Sequence, residues 1–277
     1  MIYLVLTVLS SALVSIFMRL SSDKVRNNIS LLAVNYVTCL VVAAADDGWK
    51  LIPEGEGVGT TLLMGIVHGT LYLTSFWLLQ RNVIRNGVVL SATFMKLGLL
   101  VPMVVSLVLF REKPGLLQVL GFGLALLAIM LVNGDGKKEN VSSRSGLLLL
   151  LLAGGGGDAM AKIFEEWGSN AHAPQFLIYT FGAALLLCIL LAFSKGQKIG
   201  MPELVYGALI GVPNFLSARF LLRALDAVPA VIVYPSCSVG AILIVTLAGL
   251  LLFGERLQKR QWFAMALIAV SLFFLNV

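Results

Sequence analysis

The chain has 277 residues, of which 59% are hydrophobic and 12% charged, with a mean hydropathy of +0.96 and a formal net charge of +6. Soluble domains carry about 45–50% apolar and about 25% charged residues, so one aqueous core cannot hide this much apolar surface and the bilayer is the expected solvent. The basic residues stand in short clusters beside apolar runs, as topology signals do, and no nucleic-acid-binding motif accompanies them.

The first apolar run, about 1–20, has no basic stretch before it. It ends Phe17-Met18-Arg19-Leu20 without a small-residue cleavage site, so it reads as a retained first helix and not as a signal peptide. Apolar runs and polar breaks then predict helices at about 29–45, 58–79, 86–110 and 115–133. A polar linker, 134–145, contains Lys137-Lys138-Glu139-Asn140. Five further helices are predicted at about 146–167, 174–193, 202–223, 229–253 and 259–277. A spanning helix needs about 20 apolar residues, so ten spans nearly fill the chain and leave no room for a soluble catalytic domain. Helices are expected because a backbone in lipid must satisfy its own hydrogen bonds, and the alternation of a β-barrel is missing from the sequence. Cys39, Cys188 and Cys237 all lie in apolar runs without metal-site spacing and read as packing residues. No metal or other cofactor is expected.

The two halves repeat. At a constant offset of 143 positions, Phe110 falls on Phe253, Glu112 on Glu255, Lys113 on Arg256, Gln118 on Gln261 and Asn133 on Asn276. At the same offset Tyr36 meets Tyr179 and Arg19 meets Lys162. Apolar matches between membrane helices are cheap; polar matches at one register are not. The domain reading is therefore a first five-helix repeat, 1–133, a linker, 134–145, and a second repeat, 146–277. Because five is odd, the second half enters the membrane with opposite orientation. Inverted repeats of this kind serve alternating access in many secondary transporters.

The pattern Phe110-Arg111-Glu112-Lys113 followed by a helix ending at Asn133, and Phe253-Gly254-Glu255-Arg256 followed by one ending at Asn276, resembles the ends of EamA-type repeats. Arg111 stands where that family usually has Gly. The run Leu225-Asp226-Ala227-Val228-Pro229-Ala230 also resembles the family. EamA-type proteins belong to the drug/metabolite transporter superfamily. The resemblance covers essentially the whole chain. It implies an all-α membrane protein of ten transmembrane helices, two inverted five-helix repeats around a central cavity lined mainly by helices 1, 3, 4, 6, 8 and 9.

Ionisable side chains inside hydrocarbon cost about 2.5–3.5 kcal/mol on insertion scales, so each is a functional candidate. Lys96 sits near the middle of the predicted helix 86–110, too deep to snorkel easily. It reads as a substrate contact or one half of a structural ion pair. Arg219 reads as a guanidinium clamp for a carboxylate or phosphate, or as an interfacial cation like Arg223 one turn on. Asp158 and Lys162, four apart, share a helix face; they form an intrahelical ion pair or a coupling pair. Arg19, near a helix end, reads as a snorkelling residue or a substrate contact. His68 suits a proton relay or a hydrogen-bonded core position. The neutral polar residues Asn35, Tyr36, Tyr72, Gln80, Asn214, Tyr234 and Ser236 add recognition capacity. Pro102, Pro213 and Pro235 lie inside predicted helices, as hinges or tolerated kinks. Gly154-Gly155-Gly156-Gly157 has no phosphate-loop context and reads as a close-packing surface. Glu112 and Glu255 each precede a helix and read as capping carboxylates.

The expected function is a secondary transporter in a bacterial cytoplasmic membrane. The cations Lys96, Arg219, Lys162 and Arg19 outnumber Asp158, which favours a small-molecule substrate with an anionic group, such as a carboxylate or an amino acid. A proton gradient, a sodium gradient or neither is open as the drive, and so is a monomer or homodimer. A receptor or assembly subunit is the alternative of another class. An intramembrane enzyme lacks a matching motif, since His68 and His172 fit no metalloprotease spacing. Lys and Arg concentrate in the loops after the odd-numbered helices, which places both termini on the outer side by the positive-inside rule.

Overall fold

The computed structural model describes residues 1–52, 55–86, 88–133, 143–194, 199–252 and 259–276. The motif Phe253–Arg256, with Glu255, and most of the linker lie outside the described residues. Eleven α-helices are described: α1 (Ile2–Ser21), α2 (Asn28–Asp46), α3 (Val58–Asn86), α4 (Val88–Leu97), α5 (Leu100–Val108), α6 (Leu116–Asn133), α7 (Arg144–Trp167), α8 (Ala173–Ser194), α9 (Met201–Ala227), α10 (Ala230–Leu252) and α11 (Lys259–Leu275). A single 3₁₀ turn, Asn170–His172, leads into α8. Among the described residues there is no strand.

Eight of these spans are long and apolar enough to cross a bilayer, with α4 and α5 counted together as Ser91–Val108. The other two helices are shorter: α6 has 18 residues and α11 has 17. At about 1.5 Å per residue they fall a few ångströms short of a hydrocarbon core about 30 Å thick.

The predicted helix 86–110 is not one helix. It breaks between α4 and α5, and around the break the bonds are short-range ones, Gly98 N to Met95 O (3.2 Å), Leu99 N to Lys96 O (3.4 Å) and Val101 N to Gly98 O (2.9 Å). The physical cause is Pro102, which has no N–H to give to the carbonyl four residues back, at Gly98. By contrast Pro213 and Pro235 lie inside α9 and α10, which continue through them.

By its contacts the chain forms two compact units. The first comprises Met1–Leu73 and Ile163–Asp226, the second Thr74–Lys162 and Ala227–Val277. In the first unit α2 packs along α8. Small residues set the helix spacing, as they do where lipid supplies no hydrophobic drive between helices. A methyl group on Gly207 or Gly211 of α9 would come within 2.6 Å of Val34 Cβ or 2.5 Å of Thr38 Cβ on α2. Gly65 and Gly69 of α3 play the same part against Tyr179 and Thr180 of α8. The start of α2 is held by Glu203, whose Oε1 accepts the N–H groups of Arg26 (2.9 Å) and Asn27 (3.2 Å).

In the second unit α6 packs along α11, and Ser271 Oγ donates to Gly121 O at 2.8 Å. Leu99, Met103, Ala128, Ile129, Val239 and Ile268 belong to its core. The unit also holds a very close backbone approach. The Gly98 carbonyl, at the break, lies directly on Gly155 of α7, so a methyl group there would overlap it. Gly155→Ala is therefore expected to cost about 1–3 kcal/mol by overpacking. Gly154→Ala, where the nearest atoms stand 4.0 Å away, is the control. Thermal unfolding of the detergent-solubilised variants measures both; equal melting temperatures would contradict this packing.

Candidate functional site

The second unit carries a cluster of ionisable groups on α4, α7 and α10. Lys96 lies in the last turn of α4, two residues before Gly98. Its side chain has exposed surface and interacts electrostatically with Asp158 of α7. The contact between Gly98 and Gly155 brings these two helices together three residues before Asp158. Tyr234 of α10 donates its hydroxyl to the Asp158 backbone carbonyl at 2.6 Å. Cys237, one turn further along α10, also lies in the field of Asp158. Ser236 is buried on the same helix. The break in α4–α5 thus serves the site: it lets two backbones meet and sets a lysine beside a carboxylate.

One turn beyond Asp158 on α7, Lys162 is buried and pairs with Glu112 Oε1 at 3.2 Å, the two side chains being 3% and 13% exposed. Its ammonium also stands 5.7 Å from the centre of the Phe110 ring. Asp158 and Lys162 thus each have a partner on another element, in addition to their shared helix face. Glu112 also accepts the N–H groups of Ala230 (3.1 Å) and Val231 (3.2 Å). It caps α10, and not the α6 helix that follows it in sequence as the spacing suggests. Arg111 makes this possible. It adopts φ 55°, a left-handed conformation that suits Gly best.

The first unit carries a separate set. His68 of α3 is buried, stacked on Phe176 at 5.2 Å and edge-on to Tyr72 at 5.6 Å. Its Nδ1 lies 3.2 Å from Thr180 Oγ1. Asn214 donates to Asn35 Oδ1 at 3.2 Å, a buried amide pair between α9 and α2. Arg219 lies 3.0 Å from Asp46 Oδ2 at the end of α2. Arg19 is exposed at the end of α1. Sequence reasoning missed Asp46 as a partner of Arg219. It also took Cys237 as packing only. Neither has a periodic signal, because both depend on which helices meet.

The surface completes the picture. Leu148, Leu149 and Leu152 of α7, Leu251 and Leu252 of α10 and Phe273 of α11 are exposed, while Asn35, His68, Lys162, Glu203 and Ser271 are buried. Apolar side chains outside, bonded polar groups and the Lys162–Glu112 pair inside, and helices of spanning length define a polytopic integral membrane protein. The family model for EamA-like transporters matches residues 1–134 and again 144–277, and the chain belongs to that family. Along 98% of its length it is 22% identical, over 284 residues, to a Haemophilus influenzae protein described as uncharacterized, of which it covers 96%. A solved crystal structure shares the fold, with a TM-score of 0.77 over 99% of this chain and 94% of the other at 11% identity.

Proposed function

We propose that the protein is a secondary transporter. It moves a small polar metabolite with an anionic group, a carboxylate or an amino acid, across a bacterial cytoplasmic membrane by alternating access. The observation that carries this reading is Lys96: a cation on the broken helix with exposed surface, lying in the field of the Asp158 carboxylate. Lipid would not tolerate such a group, so it serves a polar space that a substrate carboxylate can enter. A Lys⁺–carboxylate contact of this kind is charge-assisted, and such bonds are roughly twice as strong as neutral ones. Asp158, Tyr234 and Ser236 shape that seat, and a proton or sodium gradient is the candidate drive.

In this reading the chain spans the membrane ten times, as inverted repeats 1–133 and 146–277. Support comes from the constant offset of 143 positions and from the family model matching each half. Counterflow tests the mechanism. Proteoliposomes loaded with pooled carboxylates should take up labelled carboxylate faster than empty ones. Uptake indifferent to the internal pool would contradict alternating access.

The termini belong on the outer side, since loops on the opposite face carry most of the Lys and Arg, including Lys24, Arg26, Arg81, Lys195 and Lys259. A C-terminal reporter active only outside the cytoplasm should be active. A silent one, with a cytoplasmic reporter active at the same position, would reverse the orientation.

A further inference from the structure

A cavity of about 360 Å³ opens within the first unit where α7 ends, α8 begins and α9 ends. That volume lies within the range of small-ligand sites, about 300–1,000 Å³. Arg219 and Arg223 both line it, one helical turn apart on α9, with Phe164 and Leu222 as apolar wall. Two carboxylates, Glu165 and Asp226, also line it, and Asp226 Oδ1 already accepts a bond from Asn170 at 2.8 Å.

The two guanidinium groups are not equally committed. Arg223 stands over the Tyr3 ring at 5.4 Å, and among the described residues no carboxylate forms a salt bridge with it. Arg219 lies 3.0 Å from Asp46 Oδ2, but its buried Nε–H has no aligned acceptor among the described residues. The contact is close in distance and poor in direction. A guanidinium is a planar fork suited to bidentate carboxylates. Asp46, 39% exposed against 16% for Arg219, neutralises the charge without filling the fork.

We infer that this cavity is a carboxylate-binding site. Arg223 and Arg219 grip the ligand's carboxylate, and Asp46 is the resident counter-ion it competes with. The ligand class rests on the proposed transport reading; the site itself rests on the cavity and the two arginines. In transport the site would hold substrate at the helix ends of the first unit.

Succinate titrated into the purified, full-length Lys96→Met protein in detergent tests this by calorimetry, because that background removes the other cationic seat. Saturable binding is expected. Arg223→Gln, a change at an exposed position, should weaken it by at least about tenfold, the loss expected for a charge-assisted hydrogen bond. Asp46→Asn should tighten it. An Arg223→Gln or Asp46→Asn protein that binds as its parent does would overturn the inference, as would no binding in any variant. Equal binding of inorganic phosphate would overturn the carboxylate assignment. Binding in that background, with no flux by the wild-type protein, would leave this site standing and remove the transport reading. Flux with an indifferent Arg223→Gln would do the reverse.

Discussion

Lys96→Met is expected to reduce transport in proteoliposomes by at least about a hundredfold, the effect of losing a charged contact inside a desolvated site, while leaving the protein folded. Met keeps the length and apolar stem of the side chain and removes only the ammonium. The helix break that positions residue 96 depends on Gly98 and Pro102, so it should survive. A structural role for Lys96 makes a different forecast. If its purpose were to neutralise Asp158, removing both charges would restore function. The double variant Lys96→Met/Asp158→Asn separates the two. It should remain inactive; recovered flux would show that the lysine balances a charge and does not hold substrate. Lys96→Arg, which keeps the charge but changes its shape, should retain part of the activity.

The largest loss of stability is expected from Glu112→Ala. Glu112 does two jobs at once: it pairs with buried Lys162 and accepts two N–H groups at the start of α10. Removing one partner of a buried pair costs about 3–5 kcal/mol, because the remaining charge stays buried. Loss of a helix cap adds about 1 kcal/mol. Glu112→Gln keeps an acceptor for the cap and loses only the charge, so it should fall between wild type and alanine. Thermal unfolding in detergent gives the order. Indistinguishable melting temperatures for wild type and Glu112→Ala would mean that the contact carries no stability.

The helices and their membrane character were legible because they depend on local hydropathy, summed over about 20 residues at a time. The offset between Glu112 and Glu255 was legible because it is a property of the sequence itself. Partner choice was not. Spacing of four put Asp158 and Lys162 on one face, but Lys162 reaches Glu112, 50 positions earlier, and Asp158 shares its field with Lys96. The first partner is delivered by the turn at Arg111, and the second is brought close by the contact of Gly98 with Gly155, neither of which hydropathy reports. The break in the predicted helix 86–110 had a visible cause in Pro102. Yet the same residue type at Pro213 and Pro235 leaves its helix continuous, so proline alone does not locate a break. Arg111 was legible only as a departure from the family's usual Gly. Its positive φ supplies the reason for that Gly, and ties the turn to the carboxylate it delivers to α10.

Net uptake by reconstituted protein tests the central claim most directly. Purified protein in sealed liposomes, offered one labelled pool of carboxylates and amino acids and another of lipophilic cations, should accumulate the first above protein-free liposomes and leave the second at background. Uptake of the cations alone, or of neither pool under any imposed proton or sodium gradient, would contradict the assignment of this protein as a transporter of anionic metabolites.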